Sequence, residues 1–333
     1  MSFDTDTTLP RAPRALLVCP RCQGVLQAAT SAAVPGAPSL RCESCAAPYP
    51  LLDGMPCLLA SREALSVTAQ AFARQWSQRE ANLFEKETIY GETAAEELQS
   101  CLDRFEIRAA TSLAGKAILD IGCGSGRLTQ SLALYAPDAV IVGGELSDAA
   151  HIAFRRCTGL ANVAVAQLDL MQPPFAPASF DYVYADGVLP HVPDPHAALA
   201  RLALLVRPGG KLFVWIYPPS FSPYRLTRDV FAGSYRWPHA LQVAASWGVG
   251  LPLHAAFKAY ELSPTAGRDS NRGSRRAPRR RSLREVVFML HDNLVPQYQH
   301  RATPAELGAE FERLGFTAVR HAEPATGIVG TKS

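Results

Sequence analysis

A chain of 333 residues with a net charge of +3 has room for one large domain and an appendage. That charge is too small to point to nucleic acid or a membrane surface as partner. An apolar fraction of 48% with 19% charged residues excludes the fibrous and wholly disordered classes and promises a sizeable core.

No basic-then-apolar leader opens the sequence. The longest uncharged run, 240–257, is interrupted by Gly248, Gly250, Pro252 and His254, so no transmembrane segment is expected. Eight cysteines without an export signal suit a reducing compartment, and the expected location is cytoplasmic.

Residues 1–14 carry Pro10 and Pro13 and read as a disordered leader. Residues 15–60 contain Cys19-Pro20-Arg21-Cys22 and, after nineteen residues, Cys42-Glu43-Ser44-Cys45. Each Cys-x2-Cys turn presents two thiolates on one side, and two such turns supply the four ligands of a closed, structural zinc site. The expectation is one zinc ion on Cys19, Cys22, Cys42 and Cys45. Asp53-Gly54 reads as a hairpin turn, with Leu58-Leu59 packing back on the ribbon. Residues 61–114 are helical in pattern, with Phe72, Trp76, Leu83 and Phe84 among polar residues. Such an aromatic stripe is more often core than lid. Its place before the next motif also suits it to covering a ligand.

Ala117–Gly126 reads Ala-Ile-Leu-Asp-Ile-Gly-Cys-Gly-Ser-Gly. An apolar strand ends in Asp120, breaks into three alternating glycines, and is followed by a helix-spaced stretch from Arg127. Strand, glycine turn and helix bring backbone N–H groups up to a ligand. The Gly-x-Gly-x-Gly spacing departs from the dinucleotide fingerprint. Strand-like and helix-like runs then alternate as in a doubly wound sheet. Glu145, Asp169 and Asp186 each end a strand-like run, at the sheet edge where α/β ligands bind. Glu145 lies about twenty residues beyond the turn, where an acceptor-only carboxylate receives the two hydroxyls of a ribose. Pro208-Gly209-Gly210 reads as a turn before a strand from Lys211. Thr303-Pro304-Ala305-Glu306 has the residues of a capping box opening a last helix.

The run Leu119–Arg127, with Glu145-Leu146, Leu168-Asp169-Leu170, Phe180-Asp181-Tyr182 and Arg207–Gly210, resembles the motifs of class I S-adenosylmethionine-dependent methyltransferases. Cys-x2-Cys followed by Tyr49-Pro50-Leu51-Leu52-Asp53-Gly54 resembles the zinc-ribbon proteins that accompany or activate such enzymes. The resemblance implies an α/β, doubly wound Rossmann-like methyltransferase sheet over residues 115–333, with a small N-terminal zinc ribbon. It implies S-adenosylmethionine bound by Asp120, Gly122, Cys123, Gly124, Gly126, Glu145, Leu146, Asp169, Leu170 and Asp186. In that reading the glycines approach the methionine moiety, Glu145 takes the ribose, and Asp169 with Leu170 reads the adenine edge.

The implied reaction is methyl transfer to a small-molecule acceptor in biosynthesis. His191, following a strand end, is the best candidate for a base. Residues 218–301 read as a substrate-cap insertion, and by resemblance Asp292, Tyr298 and His300 would face the pocket. Arg268–Arg284 reads as a solvated segment, with RNA phosphate contacts or an anionic substrate as the functional alternatives. An rRNA or tRNA base methyltransferase and a non-catalytic S-adenosylmethionine-binding activator stand as alternatives, with nucleic acid the less favoured partner.

Overall fold

The computed structural model describes residues 15–31, 36–60, 67–84, 87–219, 223–261, 282–322 and 327–333. The expected leader 1–14 and the arginines from Arg268 to Arg281 lie outside the described residues, whereas Arg284 is described and exposed. Four short strands open the described chain: β1 (Leu26–Thr30), β2 (Pro38–Cys42), β3 (Pro48–Leu52) and β4 (Met55–Leu58). Asp53 (φ 51°) and Gly54 (φ 90°) form the two-residue turn of the β3–β4 hairpin, and positive φ at both central residues matches the twist of the flanking strands. The four expected ligands, Cys19, Cys22, Cys42 and Cys45, converge, their sulfur atoms all lying within 4.8 Å of one another.

Helices α1 (Val67–Glu80) and α2 (Ala94–Phe105) follow. Thr93 and Glu96 close a reciprocal capping box at the start of α2, satisfying donors the first turn would otherwise leave open. The remaining chain alternates: β5 (Ala117–Ile121), α3 (Arg127–Tyr135), β6 (Val140–Glu145), α4 (Ala150–Cys157), β7 (Val163–Leu168), β8 (Phe180–Ala185), α5 (Pro195–Leu205) and β9 (Val206–Trp215). Then come α6 (Pro223–Val230), α7 (His239–Glu261), α8 (Leu283–Leu294), α9 (Pro304–Arg313), β10 (Phe316–Ala322) and β11 (Gly327–Lys332).

Strands β7, β6, β5, β8 and β9 are parallel neighbours in that order, and β11 and β10 extend the β9 edge antiparallel. Alternation along β5 divides the core. Ile118 clusters with Leu102, Leu128 and Ala153, while Leu119 clusters with Leu202, Leu307 and Phe311. Apolar residues on both faces are what a doubly wound parallel sheet requires. No helix of the described residues is long and apolar enough to cross a membrane.

One local expectation is corrected. Pro208-Gly209-Gly210 does not precede the last parallel strand but lies inside β9. The pairing with β8 jumps from Phe180↔Val206 to Tyr182↔Lys211, so the Pro-Gly-Gly stretch is looped out as a bulge with Gly209 at φ 77°. Leu58 is buried in one cluster with the ribbon residues Leu40, Tyr49 and Leu51, as expected, and its strand also reaches beyond the ribbon. Strand β4 pairs parallel with β7, Cys57 opposite Gln167 and Leu58 opposite Leu168, so the hairpin's outer strand caps an edge otherwise left unpaired.

Leu17 also bridges Phe175, and the Val18 N–H donates to the Pro174 carbonyl at 2.8 Å. The cysteine-bearing segment thus grips both ends of residues 167–175. Cys42→Ser is therefore expected to speed amide exchange across 167–175 as well as around the cysteines; unchanged protection of 167–175 would contradict this grip.

Candidate active site

The carboxyl ends of β5 to β8 open into a cavity of about 860 Å³, closed on its far side by residues from α1, α7 and α8. That volume lies within the range of small-molecule sites. In the turn that supplies Gly122 to its floor, Gly122, Gly124 and Gly126 all have positive φ. A Cβ at Gly122 would lie 2.3 Å from Val188 Cγ2, and one at Gly126 within 2.8 Å of Ala153. The turn therefore needs glycine for both conformation and close packing.

Glu145 ends β6 directly beside this turn. One carboxylate oxygen accepts the Gly124 N–H at 3.1 Å and the other the Ser147 N–H at 2.8 Å. Each oxygen keeps lone-pair capacity for a further donor. Burial raises the Glu145 pKa, with the two backbone donors opposing the shift. Asp120 is buried and accepts the Thr129 hydroxyl at 2.6 Å, and burial pushes its pKa up to about 7. Asp186 binds Arg104 at 2.6 Å and accepts the Tyr184 hydroxyl at 2.8 Å. The Arg104 guanidinium lies 4.4 Å from the centre of the Phe213 ring. Arg127, at the start of α3, pairs with Glu97 at 2.6 Å and donates to the carbonyls of Glu87 and Glu92, tying the segment before α2 to the glycine turn.

Across the cavity, His191 Nδ1 lies 3.0 Å from the carbonyl oxygen of Tyr298. A carbonyl only accepts, so this contact assigns the proton to Nδ1 and the lone pair to Nε2. Burial lowers the His191 pKa, which keeps the ring neutral at pH 7. The rings of Phe72 and Tyr217 stand edge-on to it at 5.0 and 5.9 Å. Asp292 is 2% exposed and accepts the Tyr217 hydroxyl at 3.0 Å and the Gln75 amide at 3.3 Å.

Residues 119–214 match the family model described as a methyltransferase domain. The segment that carries the glycine turn, Glu145 and Asp186 is thus similar to a methyltransferase domain. The ubiquinone biosynthesis O-methyltransferase of Methylococcus capsulatus is 37% identical over 124 residues, 36% of this chain and 51% of that protein. The O-methyltransferase cnsE of Penicillium expansum is 38% identical over 105 residues, 30% of this chain and 37% of that protein. Among solved structures, the magnesium protoporphyrin IX methyltransferase of Synechocystis PCC 6803 with bound SAH aligns with 79% of this chain and 96% of its own. The identity there is 17% and the TM-score 0.44. The chain spans about half, or less, of the length of these curated relatives.

Asp120, Gly122, Cys123, Glu145, Leu146, Asp169, Leu170 and Asp186 all line the cavity, as do His191 and Asp292. Gly124 and Gly126 do not. Gly124 is covered by the Trp76 ring, 2.7 Å from where a Cβ would sit, and Gly126 packs on α4. In this structure these two glycines serve the packing of Trp76 and α4 on the turn. Tyr298 and His300 are also outside the lining. Their rings stack on each other, 5.9 Å apart, and His300 bonds to the backbone carbonyl of Val192. They clamp residues 296–300 against the loop after β8, and only the Tyr298 carbonyl reaches His191.

Phe72 and Trp76, read chiefly as core, line the cavity instead, while Phe84 is buried. Sequence reasoning missed Tyr90, Arg104 and Tyr217. Tyr217 follows a strand whose end was already marked, a signal that was available; Arg104 had none beyond its helix. Because the contact is a backbone carbonyl, Tyr298→Phe should leave the NMR titration of His191 unchanged, and a displaced titration would show that the phenol itself acts on His191.

Proposed function

We propose that the chain transfers a methyl group from S-adenosylmethionine to the oxygen of a small-molecule acceptor in biosynthesis. The observation that carries this reading is the Glu145 carboxylate, held by two backbone N–H groups inside a cavity that also holds the neutral His191. The residues present fit the cofactor. A ribose offers donors to Glu145. Asp169, whose side chain accepts the Met171 N–H at 2.8 Å, stands with Leu170 on the wall suited to the adenine. Asp120 and Asp186 place negative charge on the side where the cation's sulfonium and ammonium belong. When bound, S-adenosylmethionine supplies an electrophilic methyl carbon whose bond to sulfur breaks as the bond to the acceptor forms.

The chain's own residues orient the partners, exclude water and move one proton. His191 Nε2 takes the proton of the acceptor hydroxyl, and the Tyr298 carbonyl holds the ring in the required tautomer. Phe72 and Trp76 shield the reacting atoms. Oxygen as the nucleophile is supported by this placement of a base and by the names of the two curated relatives. Asp292 acts on the hydroxyls of Tyr217 and Tyr90, shaping the acceptor wall. RNA and purely cofactor-binding readings have no comparable support in the cavity.

We assign a structural zinc ion to the four converging cysteines. Zinc–sulfur bonds of about 2.3 Å imply sulfur–sulfur separations of about 3.8 Å in a tetrahedron. The Cys19–Cys45 and Cys22–Cys42 pairs, at 3.6 and 3.4 Å, approach that spacing. Four thiolates leave no position for substrate, so the metal's part is to hold β1 to β4 against β7.

Glu145→Ala should weaken S-adenosylmethionine binding by roughly 10- to 100-fold, the worth of hydrogen bonds to a charged group. His191→Ala should keep that affinity and lower turnover by roughly 10²- to 10⁴-fold. Calorimetry with single-turnover product analysis reads both. Full turnover in His191→Ala would remove it as the base, and unchanged affinity in Glu145→Ala would remove the cofactor assignment.

A further inference from the structure

Charge is divided within the cavity. The wall formed by the ends of β5 to β8 carries Asp120, Glu145, Asp169 and Asp186, whereas Lys258 and Arg301 stand on the other side. Arg301 donates to the Pro218 carbonyl at 2.9 Å and to the Gln299 amide oxygen at 3.0 Å. Close by, Arg228 donates to the carbonyls of Asn293 and Gln297 at 3.2 and 3.1 Å. Among the described residues neither arginine is in an ion pair; the nearby Arg225 takes Asp229, at 3.6 Å. Burial lowers the pKa of both Arg228 and Arg301, and each is further lowered by a neighbouring guanidinium. Neutral oxygens take only part of each fork, and the acid that acts on both cations, Asp229, is exposed and already paired with Arg225, so Arg301 keeps N–H groups and charge for a further anion. Asp292 forms no ion pair with either arginine and instead accepts from Tyr217 and Gln75.

Tyr217 links this charge to the proposed base. The Arg301 guanidinium lies 5.5 Å from the centre of its ring, and the His191 ring lies 5.9 Å from the same centre. Phe72 flanks His191 from α1. Resting on the methyl-transfer reading, we infer that the acceptor is a hydroxylated aromatic carboxylate. Its hydroxyl meets His191 Nε2, its ring lies against Phe72 and Tyr217, and its carboxylate sits on Arg301. A planar guanidinium fork matches a carboxylate in shape and charge, and offset or edge-on ring contacts suit a flat acceptor.

The test is calorimetric titration of 4-hydroxybenzoate and its methyl ester into the full chain saturated with S-adenosylhomocysteine. The acid should bind on the order of 10-fold or more tighter than the ester, the scale of a charge-assisted hydrogen bond. Arg301→Gln should abolish that preference and Arg301→Lys retain part of it, with S-adenosylhomocysteine affinity reporting that each variant is folded. Equal binding of acid and ester, binding of neither, or a preference that survives in Arg301→Gln would overturn the inference. Methylation is scored separately. An acid that is bound through Arg301 but never methylated sinks the transfer reading alone, and neutral phenols methylated as well as acids sink the carboxylate alone.

Discussion

The pinning of Glu145 by the N–H groups of Gly124 and Ser147 is the contact on which the rest of the site depends. It requires a carboxylate at the end of β6, a left-handed glycine turn beside it at the end of β5, and no side chain between them. Parallel pairing of β5 with β6, Ile121 opposite Gly144, brings the turn and the carboxylate to the same edge. Gly143 and Gly144 contribute from within β6. A Cβ at Gly144 would lie 2.9 Å from Leu168 and one at Gly143 3.0 Å from Thr129. A buried carboxylate with few donors is costly, so the fixed N–H groups make the site tenable before any ligand arrives, and a polyol or a cation then completes it.

Around that contact the fold divides labour. The sheet edge contributes carboxylates, α1 and α7 contribute rings, and α8 contributes Met289, Asn293 and one acid, Asp292, tied to two tyrosines. Such a cavity can hold a cation and a flat apolar partner side by side while excluding water. The four-cysteine segment takes part at a distance, since β4 completes the edge of β7 immediately before Asp169. Support from an added strand at that point bears on the cavity wall even though no cysteine of the cluster lies in the lining.

Local chemistry made much of this legible. The glycine turn, the acids closing strand-like runs, the Asp53-Gly54 hairpin and the Thr303 capping box depend on neighbours in sequence, and their geometry follows from backbone sterics and short-range hydrogen bonding. What escaped depends on distant pairing. Leu58 packs with the ribbon as its sequence suggested, but nothing in residues 15–60 announces Leu168 as its strand partner. Trp76 looked like core because its stripe is apolar, whereas it is the cover of Gly124, a contact between elements far apart in sequence. Tyr298 and His300 carried polar side chains that suggested chemistry, yet they stack on each other and lend only a carbonyl. Arg301 shows the converse: an ordinary arginine becomes notable only when its neighbours prove to be neutral oxygens.

The most direct test of a carboxylate-lined site built for a cationic cofactor is calorimetric titration with S-adenosylmethionine at pH 7 in buffers of different ionisation enthalpy. Burial has pushed Asp120 up to about 7, so a share of this carboxyl is protonated in the free protein, and a cation in the cavity favours its ionised form. Binding accompanied by net proton release, weakening as the pH falls through about 7, is the expected result. Absence of binding, or binding with no proton release, would contradict it.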